Sequence, residues 1–277
     1  MATVITLDRK SPVIIIDTSY FIFYRYFSSI KWYQFKNKEI DFADIHNDEV
    51  FMKALEKHTL ADLTKLCKKW KTTLANIVFC YDCCRDTIWR NEFTDGYKAG
   101  RIVNPKFNAN VFTHFYEYIE KNKDEWQCSI VSIPKLEADD VAYLSKQHIQ
   151  ANKWTEKIVI ITNDNDYLQT LDDQTYIYNM NGKGNDISLR SCGDPVLDLK
   201  LKLIMGDKSD NIKPIHYGIN KTTAIDIASL DEKYLNLYLD EKKCKDVYYN
   251  NRILIDFSMI PEEYIKEFND KYVWQFE

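Results

Sequence analysis

Nine acidic residues stand where one kind of element gives way to the next: Asp17, Asp82, Glu137, Asp139, Asp140, Asp164, Asp166, Asp207 and Asp210. Seven of them fall in three short clusters: Leu136-Glu137-Ala138-Asp139-Asp140, Thr162-Asn163-Asp164-Asn165-Asp166 and Gly206-Asp207-Lys208-Ser209-Asp210-Asn211. If these carboxylates converge, their repulsion is large, since one like-charge pair at ~4 Å costs about 4 kcal/mol at an effective dielectric near 20. Such a pocket either raises its own pKa values or takes up cations. Oxygen-only donors select hard ions, Mg²⁺ or Mn²⁺. Two of them ~4 Å apart can activate a water and stabilise the leaving oxygen of a phosphodiester. An anionic substrate also needs basic groups nearby, and Lys98 and Arg101 are the leading candidates.

The elements that must carry these residues follow from pattern. Pro12 to Ile16 is a continuous, mostly β-branched apolar run, as in a strand buried on both faces, and it ends at Asp17. Taken alone, Asp17 also reads as a simple helix cap. Tyr20 to Phe27 is an aromatic helix with Arg25 embedded, followed by an irregular stretch from Lys31 to Asn47. Asp48 to Trp70 has helical spacing, and Lys65, Lys68, Lys69 and Lys71 near its end suit the helix dipole without any ligand. Asn76 to Tyr81 is the second buried strand and leads to Asp82.

Cys83 to Asn110 mixes Arg85, Arg90, Lys98, Arg101 and Lys106 with Trp89, Phe93 and Tyr97. That alternation suits either single-stranded nucleic acid or an ordinary solvated loop. Phe107 to Lys121 reads as a helix, Gln127 to Ile133 as a third strand, the acids after Leu136 as the opening of a helix to about Ala151, and Lys157 to Ile161 as a fourth strand. Thr175 to Asn179 and Ile187 to Arg190 read as strands around Asn181-Gly182-Lys183-Gly184-Asn185, which lacks the rest of a phosphate loop. Leu197 to Met205 is helical, Gly218-Ile219-Asn220 a tight turn with Asn220 in a glycine-like conformation, and Thr223 to Ala228 a helix. Asp231 to Glu277 is charged and mostly helical.

Composition excludes several classes. Of 277 residues, 45% are hydrophobic and 29% charged, which is globular, and no apolar run approaches a membrane span. The net charge of −5 does not advertise nucleic-acid binding, unless much of the negative charge is gathered in one metal pocket. The seven cysteines and the absence of an apolar leader after Met1 point to a reducing intracellular compartment, the cytoplasm or a nucleoid or viral replication site. Cys80 and Cys83 have redox spacing, against which Cys80 is simply the end of a buried strand. The five histidines form no close pair, so nitrogen and sulfur metal sites are poorly supported. The segment after Asp164 is no EF-hand, because Gln169 and Thr175 stand where Gly and Glu are needed.

The chain resembles the 5′-nuclease superfamily, the flap endonucleases and 5′–3′ exonucleases of phages and bacterial DNA polymerases. The matching pieces are Asp17 with Tyr24-Arg25, Phe79 to Asp82, Tyr97-Lys98-Ala99-Gly100-Arg101, Glu137-Ala138-Asp139-Asp140, Thr162 to Gln169 and Gly206 to Asn211, in the family's order. Asn251 to Phe257 is similar to a C-terminal segment of some members. The resemblance implies an α/β fold, a PIN-like mostly parallel sheet with helices on both faces, over residues 1–200. That core would include a helical arch at about 83–121. Residues 201–277 would form a helix–three-turn–helix and a C-terminal helical region. All nine acids would hold two divalent ions, Mg²⁺ or Mn²⁺. Lys98, Arg101, Asp82 and Glu137 would be the catalytic group.

The resemblance also implies DNA contacts at Arg25, Tyr97, Lys98, Arg101, Gly218, Lys221 and Thr222, with Tyr97 stacking on a base. The helix–three-turn–helix would bind a monovalent cation, K⁺. Asn220 replaces a usual glycine there, and His216-Tyr217 replaces small residues with a spacing one residue longer. Val273 to Glu277 lacks the spacing of a sliding-clamp peptide.

The expected function is a metal-dependent, structure-specific 5′-nuclease acting as a monomer, in replication or repair, on DNA with a 5′ flap or 5′ end. A ribonuclease or an RNase H-like enzyme acting on RNA–DNA hybrid keeps the fold and changes the substrate. A non-catalytic junction binder is the remaining reading, disfavoured because binding DNA alone calls for fewer negative charges.

Overall fold

The structure is a computed structural model that describes residues 2–35, 39–101, 104–154, 156–182 and 184–277. In chain order, the chain forms β1 (Thr3–Leu7), β2 (Val13–Asp17), α1 (Thr18–Gln34), α2 (Glu49–Trp70), β3 (Ile77–Cys80), α3 (Ala109–Trp126), β4 (Ser129–Val131) and α4 (Ala138–Ala151). Then come β5 (Ile158–Ile161), β6 (Thr175–Tyr178), α5 (Pro195–Met205), α6 (Lys221–Ala228), α7 (Glu232–Glu241), α8 (Lys245–Ile255), α9 (Glu262–Lys271) and β7 (Tyr272–Phe276).

Five strands pair in the order β4-β3-β2-β5-β6, every pair parallel. Successive side chains of a strand face opposite sides, so each apolar run feeds two cores. Ile14, Ile16, Ile77, Phe79, Val159 and Ile161 meet the helices α1, α2 and α3 on one face. Val13, Ile15, Val78, Ile158 and Ile160 meet α4 on the other. All eleven are fully buried, each contributing roughly 1.5–3 kcal/mol. Burial on both faces is why these strands read as continuous rather than alternating apolar runs.

The strand order reverses at β2: β3 and β4 lie to one side of it, β5 and β6 to the other. In open parallel sheets such a switch opens a crevice beyond the carboxyl ends of the strands. Asp17 closes β2, Asp82 follows β3, and Asp164 follows β5, so three of the acids surround that crevice.

Several expectations give way to the structure. β1 and β7 form a parallel pair, Thr3 opposite Tyr272 and Leu7 opposite Phe276, where the C-terminal region read as helical. From Phe257 onward the chain rejoins the core under the main sheet, so a boundary at 200 does not separate two cores. Between them Leu203 to Ile255 build a third cluster with Ile88 and Tyr97. Ile187–Arg190 is a 3-10 turn rather than a strand; it meets β6 through Ser188 Oγ, which accepts from Ile177 N–H at 3.2 Å, and through an antiparallel bridge between Tyr178 and the capping Asp186.

The helical arch expected over 83–121 is also not formed by the described residues. Arg85–Thr87 and Trp89–Glu92 are short 3-10 turns, and Trp89 and Arg90 are buried inward. α3 lies on the core through Val111, Phe115 and Ile119. Ile102 and Val103 of that segment, Lys36 to Lys38 of the expected irregular stretch, and Lys183 between its two glycines lie outside the described residues. Asn220 has φ −90° and caps α6, its Oδ1 accepting from Thr223 N–H at 2.9 Å, so it does not take a glycine's conformation. No helix among the described residues is long and apolar enough to cross a membrane.

Candidate active site

A cavity of about 550 Å³ opens at the carboxyl ends of β2, β3 and β5. Six of the nine acids line it: Asp17, Asp82, Glu137, Asp139, Asp164 and Asp207. Lys98, Arg101 and Lys202 line it as well, so six carboxylates face three cations.

Local folding explains most of the placements. Asp17 caps α1, its Oδ1 accepting from Tyr20 N–H at 3.1 Å, and its Oδ2 accepts from the Thr162 hydroxyl at 3.1 Å, tying β2 to β5. Asp82 Oδ1 accepts from Ala138 N–H at 2.8 Å at the start of α4, while Oδ2 accepts from Ser19. Asp164 caps the 3-10 turn Asn165–Thr170 by accepting from Asp166 N–H at 2.9 Å. Each acid thus satisfies one backbone donor and keeps capacity for more. The helix-cap reading and the ligand reading of Asp17 are compatible.

Burial sets the electrostatics. It pushes Asp17 up to about 7, with Asp82 adding to the effect, and raises Asp82 as well. Asp139 is driven well above its usual range, first by burial and then by Glu137 and Asp140. Asp166, behind Asp164, is raised to about 7 by burial and by Asp164. Glu137 goes the other way. Burial would raise it, but Lys98 and Arg90 outweigh that and hold it below the usual range. Asp207 is likewise lowered, because Lys202 and Ser209 overcome its burial. The donor set is all oxygen, and its six carboxyl groups outnumber its three cations, a mismatch that shows as raised carboxyls. That fits hard divalent ions.

Lys98 is 9% exposed and has φ +58°, a conformation that costs a side-chain residue free energy and needs support. Its N–H donates to Asp210 O at 3.0 Å, its carbonyl accepts from Arg101 N–H at 3.3 Å, and its ammonium donates to Glu137 Oε1. Arg101 reaches Asp210 Oδ1 at 2.5 Å. Asp210 therefore lies beneath the two basic residues rather than on the cavity wall. Asp166 also lies one layer back, 2.6 Å from the Lys202 ammonium.

Asp140 differs from the other acids. Its carboxylate is fully buried and takes two bonds from Arg90, at 2.6 and 2.7 Å, and one from Trp89 Nε1 at 3.0 Å. Its oxygens come within 4.8 Å of ligand atoms on Glu137 and Asp139, but both are already engaged. Arg25 does not reach the cavity. Its guanidinium pairs with Asp62 of α2, which holds it on the far side of α1. Tyr97 is 8% exposed, its ring in the third cluster and its hydroxyl donating to Glu137 Oε2 at 3.0 Å, so no ring face is free for a base.

Gly218, Lys221 and Thr222 sit at the exposed turn before α6 and in its first turn, with Gly218 at φ +76°. Lys221 borders a second cleft with Arg190 and Lys202, next to the main cavity. Sequence reasoning missed Lys202, which looks like any helical lysine, and Ser19 and Thr162, whose hydroxyls carry no pattern. Burial pushes the Cys80 thiol well up and Cys83 up to about 12, the opposite direction from a redox-active pair.

Residues 12–192 match the family described as "5′-3′ exonuclease, N-terminal resolvase-like domain". The chain belongs to this 5′–3′ exonuclease family. It is therefore a nuclease of the 5′–3′ exonuclease kind, with the α/β fold expected of one. Among curated relatives, the 5′-3′ exonuclease of Buchnera aphidicola (subspecies Acyrthosiphon pisum, strain APS) is 26% identical over 249 residues, 88% of this chain and 79% of that protein. Among solved structures, a bacteriophage T5 protein co-crystallised with metal ions superposes with a TM-score of 0.63 at 18% identity, covering 94% of this chain and 97% of that one. The bacteriophage T5 flap endonuclease, in a pseudo-enzyme–product complex with DNA and metal ions, gives 0.64 at 17% identity over the same shares. At these identities the structural likeness carries the fold of this 5′-nuclease, and the chemistry rests on its own residues.

Proposed function

We propose that this nuclease hydrolyses DNA phosphodiesters near 5′ ends, at junctions of duplex and single strand, in a reaction that depends on two divalent ions, Mg²⁺ or Mn²⁺. The observation that carries the reading is the meeting of six carboxylates and three cations in one cavity, contributed by β2, the segment after β3, the start of α4 and the segments after β5 and α5. Asp17, Asp82, Glu137, Asp139, Asp164 and Asp207 would hold the ions, with Asp166 and Asp210 supporting them from behind. When bound, the ions supply charge neutralisation and Lewis acidity at the phosphodiester.

The chain's own cations do the rest. Lys98 and Arg101 present positive charge to a non-bridging phosphate oxygen. Their geometry is fixed beforehand by Glu137 and Asp210, so little reorganisation is needed when charge develops. Burial keeps the Lys98 side chain out of bulk water, and Glu137, Asp139 and Asp210 keep it protonated. The expected products carry 5′-phosphate and 3′-hydroxyl.

Cleavage of a 5′-labelled flap DNA with Mg²⁺ tests the proposal, with RNA and RNA–DNA hybrid flaps run alongside at matched concentration. The Asp164→Asn, Asp166→Asn double variant should lose at least 100-fold in rate while still folding. Normal activity in that variant would sink the metal assignment, and faster cleavage of the hybrid would move the substrate to RNA.

A further inference from the structure

We propose that a cleft between the C-terminal half of α2 and the edge strand β6 is a second binding site, for single-stranded nucleic acid. The inference rests on the nuclease reading only in taking a polynucleotide as the substrate. The cleft has a volume of about 320 Å³ and is walled by Tyr24, Lys65, Lys69 and Tyr178. It is separate from the catalytic cavity but shares a wall with it. Tyr20, which lines the cavity, accepts from Met180 N–H at 2.7 Å, and Met180 lines the cleft. Tyr24 lies four residues further along α1, about 6 Å at the rise of a helix.

The side chains here are those that single strands require. The Lys69 ammonium sits 4.3 Å from the centre of the Tyr178 ring, and Lys157 sits 4.7 Å from that of Tyr176, two residues earlier on the same edge strand. Trp70 bridges the two tyrosines, with ring centres 5.7 and 5.9 Å away, and its buried indole N–H finds no acceptor. Lys65, Lys69 and Lys157 are exposed and have no ion-pair partner among the described residues. Asp62, the one acid among the described residues lining the cleft, is taken by Arg25.

A helix dipole accounts for lysines in the last turn of α2. It does not account for Lys157, which precedes β5 and stands beside the cleft, nor for the lysines lying against a row of half-buried rings. Alternating cations and aromatic faces bind single strands without sequence preference, phosphates on the lysines and bases on the rings.

The test is fluorescence anisotropy of a labelled oligothymidylate with the full chain in EDTA, so that no cleavage intervenes. The Lys65→Glu, Lys69→Glu variant should bind at least tenfold more weakly. Its slope of log affinity against log salt should fall by about 1.4, the share of two phosphates on a single strand. Tyr24→Ala should weaken binding roughly fivefold or more. Cleavage of a blunt duplex from its 5′ end, which offers no single strand, should stay within about twofold of wild type. If wild type cleaves neither that duplex nor the 5′-labelled flap, the nuclease reading fails and the binding result stands on its own. Duplexes with a 5′ or a 3′ single-stranded extension identify which strand the cleft takes. Unchanged affinity and slope in the lysine variant would overturn the proposal. Loss in the lysine variant with none in Tyr24→Ala would reduce the site to non-specific charge and overturn it equally.

Discussion

The Lys202 ammonium sits 2.6 Å from Asp166 Oδ1 and also donates to Asp207, so one lysine of α5 joins acids from two different clusters. It neutralises carboxylates that would otherwise repel each other. Removing it should make the fold lean harder on added metal. Lys202→Ala is expected to melt below wild type in EDTA and to gain more from Mg²⁺ than wild type does, as read by thermal denaturation with and without the ion. An equal gain in both proteins would mean that Lys202 and the ions do not share the same carboxylates.

Asp17 gives a pH dependence of definite sign. Its folded-state value of about 7 lies above the 3.8 of a free carboxyl, so its ionisation opposes folding. Below about pH 4 this costs nothing; the cost then grows until about pH 7 and stays constant above. Asp17→Asn keeps the cap on α1 and removes the charge. In EDTA at pH 8 it should therefore be more stable than wild type, by on the order of a few kcal/mol, with the gap closing toward pH 4. Urea denaturation across that range checks it. A constant gap would place the effect elsewhere.

The acids were legible in the sequence because their types and short spacings survive without any knowledge of neighbours, and because continuous β-branched runs declare strands buried on both faces. Partnerships across long separations were not legible. Thr3 and Tyr272 pair from opposite ends of the chain, through five-residue strands too short to announce themselves. Arg25 reads in the sequence as a DNA contact, whereas Asp62, one helix away, holds it in an ion pair. The segment after Asp82 reads as either a single-strand-binding segment or a solvated loop because Trp89 and Arg90 are individually surface-like, and only the fold brings Asp140 to them.

Arg90 and Asp140 should behave as a structural pair. Arg90→Met would leave Asp140 buried without its guanidinium and should cost about 3–5 kcal/mol by urea denaturation. Asp140→Asn should also destabilise, yet preserve most of the rise in melting temperature on adding Mg²⁺. Asp139→Asn should do the reverse. Burial and its acidic neighbours hold the Asp139 carboxyl well above its usual range, so neutralising it spares the metal-free fold while reducing the metal response. If both variants lose the metal response alike, Asp140 turns toward the ions in solution.

Gly206 couples the end of α5 to the position of Asp207. It has φ 66° and ψ −169°, a region open essentially to glycine alone. A Cβ there would fall 2.5 Å from Ile212 O and 2.6 Å from Lys213 C, backbone atoms that cannot swing away. Asp207 and Ile212 exchange two backbone hydrogen bonds, at 2.7 and 2.9 Å, so moving one side of this turn moves the other. Gly206→Ala should cost about 3 kcal/mol or more and lower the cleavage rate by displacing Asp207 from the cavity. Gly100, between Lys98 and Arg101, has no atom within 4 Å of an added Cβ, so Gly100→Ala should change neither stability nor rate appreciably. Comparing melting temperatures and flap-cleavage rates of the two variants separates a backbone requirement at Gly206 from a general sensitivity of the site to added bulk.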